Sequence, residues 1–137
     1  MTTQEYYYEL SRYTLAHKDK SFIHQHFVDA YTAQTANTET KPITIFFSLA
    51  GLYLLAHKNY SGAQIQDAHL RIAKESKDYP KFVLPENRGI LTIRDVLDAA
   101  PGRERDEMIG KWCISVWAVF SDQHDKIISL TEKLLRI

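Results

Sequence analysis

The sequence predicts an all-α fold, a single-domain helical bundle of about six helices spanning residues 1–137. Three observations carry that prediction. Apolar residues recur three and four apart along most of the chain, the spacing of a helix with one buried face. Strand-like alternation is confined to Phe82–Leu84 and Ile90–Ile93, both too short to build a sheet alone. Only 5 glycines and 4 prolines interrupt 137 residues, which leaves room for long regular elements. With 45% apolar residues, a chain of this length buries a core without covalent staples.

Tyr6, Leu10, Tyr13 and His17 lie on one face of a first helix over 2–17. Asp19 or Ser21 can cap a second helix over 21–35, because a short side-chain oxygen accepts from the free N–H groups of a first turn. Ile23, Phe27, Ala30 and Tyr31 form its apolar face. The polar stretch Thr35 to Lys41 reads as a loop, and Pro42 then opens a third helix over 42–57. That helix is apolar nearly all round, so it is buried on most sides. Ser61 caps a fourth helix over 62–76, with Ile65, Ala68, His69, Ile72 and Ala73 inward. Residues 77–90, with Pro80, Pro85 and Gly89, form an ordered surface loop. Thr92 and Asp95 resemble a capping box for a short helix over 93–99, which Pro101 and Gly102 stop. Ile109, Trp112, Cys113, Val116, Trp117 and Phe120 mark the clearest helix, ending near Ser121. A last helix over 122–136 carries Ile127, Ile128, Leu130, Leu134 and Leu135.

Charge excludes some functions. Lys plus Arg equals Asp plus Glu at 17 each, so no field draws the chain to nucleic acid or to anionic lipid. The longest apolar stretch, Ile43 to Ala56, is shorter than the roughly 18–20 residues of a membrane span, so no membrane is expected. Cys113 is the only cysteine, and the first residues lack a basic start followed by an apolar stretch. The expected location is therefore cytoplasmic. No glycine-rich phosphate loop, G-x-S-x-G, H-E-x-x-H or C-x-x-C motif is present.

The chemistry-bearing segment is His17 to Asp29, with three histidines and two carboxylates. Imidazole and carboxylate are the natural ligands of zinc and related divalent ions. Residues turn by about 100° each along a helix, so His24 and His26 diverge and one of them faces away from any shared ion. His26 and Asp29 share a face, and Asp29 can orient His26, hold a ligand or act as a base. His69 sits on an inward face between Ile65 and Ile72. His17, His24 or His26, and His69 could thus converge from three helices on one divalent ion, zinc foremost, with Asp19 as a further oxygen ligand. A buried hydrogen-bonded histidine network is the competing reading.

Other polar residues read structurally. His57 ends the third helix, where a donor side chain suits the dipole. His124 is expected in solvent. Cys113 lies on an apolar stripe, where a thiol is inert. Arg88, Arg94, Arg103 and Arg105 lie among carboxylates, which favours ion pairs such as Arg94 with Asp98; an anion site is the alternative. Tyr6, Tyr7 and Tyr8 cannot share one helix face, and exposed tyrosines suit a homodimer contact.

Several stretches carry a resemblance: Tyr13-Thr14-Leu15-Ala16-His17-Lys18-Asp19, Phe22-Ile23-His24-Gln25-His26-Phe27-Val28-Asp29-Ala30-Tyr31, Gly51-Leu52-Tyr53-Leu54, Gln66-Asp67-Ala68-His69-Leu70, and Arg105-Asp106 leading to Trp112-Cys113-Ile114-Ser115-Val116-Trp117. Together they resemble a small bacterial family of unknown function, over residues 6–120. The resemblance implies no activity; it implies that His17, Asp19, His24, His26, Asp29 and His69 belong to the family's pattern. By architecture the chain is also similar to small bacterial bundles that hold a metal through three histidines, though their H-x-x-x-H pair is missing. Two functions are therefore expected: a metal-dependent hydrolase or transferase, with His17, His24, His26 and His69 as metal ligands, Asp29 as catalytic group and an unknown small molecule as partner; or a non-catalytic protein-interaction or small-ligand-binding protein with a buried histidine network.

Overall fold

The helical periodicity becomes seven α-helices and one turn of 3-10 helix in a computed structural model, which describes residues 1–17 and 21–137. Among the described residues there is no strand. The helices are α1 (Thr3–Ala16), α2 (His24–Thr35), α3 (Pro42–Lys58), α4 (Gly62–Glu75), α5 (Ile93–Asp98), α6 (Arg103–Val119) and α7 (His124–Leu135), with the 3-10 turn at Ser121–Gln123. No helix among them is long and apolar enough to cross a membrane.

Local chemistry sets most of the boundaries. Thr2 accepts the Glu5 N–H and starts α1. Proline at the start of α3 costs nothing, because that N–H has no intrahelical partner. Ser61 and Gln64 exchange hydrogen bonds at the head of α4, a complete capping box. At α5 the Asp95 carboxylate accepts from both the backbone and the hydroxyl of Thr92.

The start of α2 differs from expectation. It begins at His24 rather than residue 21, with no side-chain cap on its N-cap residue Ile23. Asp19, the other expected cap, lies outside the described residues. The reason for the late start is tertiary. Phe22 takes a left-handed conformation (φ 51°), and the Ser21 carbonyl accepts from Ala63 N at 3.1 Å. A Cβ on Gly62 would collide with the Phe22 carbonyl, so glycine is what allows this approach. The chain before α2 is committed to the head of α4 and cannot extend the helix backwards.

α3 is the spine. Its residues Ile45, Phe46, Leu49, Ala50, Leu52 and Leu54 are almost wholly buried, and it packs against α2, α4, α6 and α7. α2 packs in turn against α1, α3, α4 and α6. Trp112, Phe27, Phe46 and Phe120 are the bulkiest fully buried side chains. The segment between α4 and α5 is held by aromatic contacts, with Phe82 stacked on Phe46 and Tyr79 tilted against the same ring. Gln34 secures its far end, donating to the carbonyls of Arg88 and Leu91 while accepting from the Trp112 indole.

The α2–α3 contact depends on a second glycine. A Cβ on Gly51 would overlap the carboxyl group of Asp29 and press on Ile65. Alanine ordinarily favours a helix interior over glycine by about 1 kcal/mol. Here Gly51→Ala is expected to destabilise the fold by about 1–3 kcal/mol, the usual cost of overpacking a core. In an Asp29→Ala background the same change should be neutral or stabilising. Urea denaturation of the two single variants and the double variant gives the coupling, and additive effects would disprove this contact.

Candidate functional site

The histidines expected to converge have separate destinations. His17 leaves the end of α1 and points to α6. Its Nδ1 donates to the Tyr13 carbonyl at 2.9 Å, and its Nε2 lies 3.1 and 3.2 Å from the two carboxylate oxygens of Asp106. Tyr13 completes this cluster by donating to Asp106 at 2.7 Å. His24 shares a 2.8 Å hydrogen bond with the Thr14 hydroxyl across the α1–α2 junction. His69 lies flat against Phe47, and its Nε2 donates to the Phe47 carbonyl at 2.8 Å. Among the described residues no group of three or more His, Cys, Asp or Glu side chains is placed to hold a metal ion. Of the expected ligand set, Asp19 lies outside the described residues.

His26 and Asp29 are the two that stand apart. Among the described residues three buried side-chain atoms lack a hydrogen-bond partner, and two of them are His26 Nδ1 and Asp29 Oδ2 on the same face of α2; the third is Thr131 Oγ1 on α7. Burial pushes His26 down to about 4, because the imidazolium would lose its hydration. Burial pushes the Asp29 carboxyl well above the ordinary carboxylate range, opposed only by the hydrogen bond that Gln25 Nε2 donates to Oδ1 at 3.0 Å. With Oδ1 accepting, the neutral form carries its proton on Oδ2.

Asp29 borders a cavity of about 360 Å³ between α2 and α3, with Gln25, Thr32, Ser48 and His69 around it. That size suits a small organic ligand. The tautomers are legible. His69 spends its Nε2 proton on Phe47, so a neutral ring keeps Nδ1 as an acceptor. Burial lowers its affinity for a second proton. Gln25 spends an N–H on Asp29 and keeps its carbonyl. Ser48 donates to the Ile45 carbonyl and keeps its lone pairs. The wall thus offers acceptors on Gln25, Ser48 and His69 beside one buried acid, set in a lining that Val28, Ile43 and Phe47 make largely apolar. A wider groove of about 630 Å³ runs between the end of α3 and α6, but none of its lining residues has an unpartnered buried polar atom.

Two histidines outside that segment find partners other than those expected. His57 does not serve the end of its helix; its Nε2 accepts from the Trp117 indole at 3.1 Å. His124 is only partly exposed; it stacks on Trp117 at 3.7 Å and donates to the Trp117 carbonyl. Their partner is a single tryptophan on another helix, which no local pattern reveals. Cys113 is as inert as its stripe implies. Its thiol donates to the His26 carbonyl, and burial raises its pKa far out of the reactive range. Of the arginines, Arg103 pairs with Glu107 and Arg105 serves the carbonyls of Leu97 and Ala99, while the expected Arg94–Asp98 pair does not form.

The His26 shift fixes a pH dependence. Its folded value lies below its unfolded one, so the unfolded chain binds the extra proton between about pH 4 and 6.5, and stability falls as pH drops through that window. From pH 7 to pH 5 the loss attributable to His26 should be about 2 kcal/mol. Urea denaturation at the two pH values should show that difference shrinking in His26→Gln; an unchanged pH dependence would remove His26 as its source.

No curated protein and no solved structure gives a match to the chain. A family model does match, over residues 3–121, from α1 to beyond the end of α6. That match covers most of the sequence, and the chain belongs to this family of unknown function (DUF5946).

Proposed function

We propose that the domain binds a small, donor-bearing organic molecule in the cavity between α2 and α3, and that Asp29 recognises it. One observation carries this reading: a fully buried carboxyl, one oxygen of which has no partner among the described residues, lies in the wall of a cavity beside the acceptors of Gln25, Ser48 and His69. A buried acid without a partner is costly, and folded proteins retain such groups chiefly where something else uses them. An amine or amidine satisfies both halves of the wall. Its N–H groups meet the acceptors of Gln25, Ser48 and His69, and its cationic charge stabilises Asp29 as the carboxylate. Binding then moves the Asp29 proton off Oδ2, so affinity rises with pH until the free carboxyl is itself ionised.

The metal reading, with His17, His24, His26 and His69 on zinc, has weaker support. His17 already uses both ring nitrogens, and His24 and His69 each use one on a neighbour. A shared ion would require those contacts to be exchanged for coordination bonds.

The test is a thermal-shift and NMR titration with propylamine, benzylamine and benzamidine, on wild type and on Asp29→Asn. At least one amine is expected to stabilise the wild type in a saturable way, with affinity falling about tenfold or more in Asp29→Asn, the size of a lost charge-assisted hydrogen bond. Equal response of the two proteins, or none from either, would sink the proposal. About one equivalent of zinc in protein purified without a tag or chelator would instead favour the metal centre.

A further inference from the structure

A second cavity, also about 360 Å³, opens on another face of α2, where α1, α2 and the start of α5 meet. Its lining includes Tyr6, Tyr31, Arg88 and Arg94, and no aspartate or glutamate. Both arginines reach it without a counter-ion. Arg88 directs Nε to the Pro85 carbonyl at 2.6 Å and Nη1 to the carbonyls of Ala33 and Gln34. Those carbonyls accept hydrogen bonds but carry no net charge, so the guanidinium charge remains uncompensated. The four ion pairs among the described residues involve His17, Lys58, Arg103 and Arg136, and neither Arg88 nor Arg94. Among the described residues Arg94 has no hydrogen-bond partner either, although Asp98 stands four residues along its helix.

The remaining donors point the same way. Among the described residues the hydroxyls of Tyr6 and Tyr31 meet no hydrogen-bond partner, while their rings are partly buried against the core. Tyr31 is held by ring contacts with Tyr7 and Phe27, which fix its position without using its hydroxyl. Two uncompensated guanidinium groups, two free phenolic donors and an aromatic wall thus border one small space.

We propose that this corner is a binding site for a small aromatic organic anion, a ring bearing one carboxylate or phosphate. The anionic group pairs with Arg94 and with the charge of Arg88, because a guanidinium fork matches planar and tetrahedral oxyanions. The ring lies on Tyr6 and Tyr31. The site does not involve Asp29 or its cavity, and guanidinium groups in one lining against a buried acid in the other give the two opposite ligands.

The experiment uses the full chain and two probes, phenyl phosphate and benzoate, followed by calorimetry and by amide shifts in NMR. At least one probe is expected to saturate with a Kd below about 1 mM at low salt, with the moving amides clustered around Tyr6, Tyr31 and Arg94. Arg94 is exposed, so Arg94→Gln should fold normally, and it should weaken binding about tenfold or more. Tyr31→Phe keeps the ring packing and should weaken binding about threefold to tenfold. Asp29→Asn should leave it unchanged. Preference for phenyl phosphate or for benzoate would identify the anionic group. The proposal is overturned if neither probe binds below about 10 mM, or if Arg94→Gln binds as tightly as wild type.

Discussion

Asp29 against Gly51 is the constraint on which the rest of the arrangement depends. A carboxyl group wholly removed from water is affordable only when it is neutral or matched by charge, since burying an isolated carboxylate costs several kcal/mol. Here one oxygen takes a hydrogen bond from Gln25 on the preceding turn, and the other rests on α3 at the one residue without a side chain. Any other residue at 51 would push α2 away from α3. That would also disturb Ile65, which is fully buried beside this junction. One polar group thus sets how closely the two central helices approach, and it does so in a form that leaves an oxygen without a partner.

Other polar side chains divide the remaining work by spanning long distances in sequence. Gln34 ties α2 to α6 and to the segment before α5. Arg88 returns the tie by donating to the last carbonyls of α2, which have no partner within the helix. The ordered loop between α4 and α5 follows from those bonds and from the stacking of Phe82 on Phe46, not from any regular structure of its own. Trp117 plays the same part at the far end, gripped by His57 from α3 and His124 from α7.

The helices were legible because their signals are local. Periodicity, the proline at the head of α3 and the caps at Ser61 and Thr92 all act within four residues. The start of α2 was not, because the left-handed turn at Phe22 is set by Gly62, forty residues on. The candidate site was half legible for the same reason. That His26 and Asp29 share a face follows from helical spacing alone, and so does the divergence of His24. That His17 turns to Asp106, or that His57 takes an indole proton, depends on partners 89 and 60 residues away, which no spacing rule encodes.

The histidine-rich segment shows why closeness in sequence is a poor guide to a shared centre. Its three histidines leave the backbone toward three different surroundings: a carboxylate on α6, a hydroxyl on α1, and the interior. Two of these are satisfied where they stand, and moving them to a common ion would forfeit those bonds. The third is not. Burial drives His26 toward the neutral ring and Asp29 toward the neutral acid, so the two groups shift in opposite directions for one physical cause. Both then lie on α2 without charge, one buried nitrogen and one buried oxygen still unpaired. Two neutral groups of this kind set up almost no field by themselves. Under the proposed reading, the charge at Asp29 appears only with a cation beside it, which makes the ionised carboxylate the favoured form.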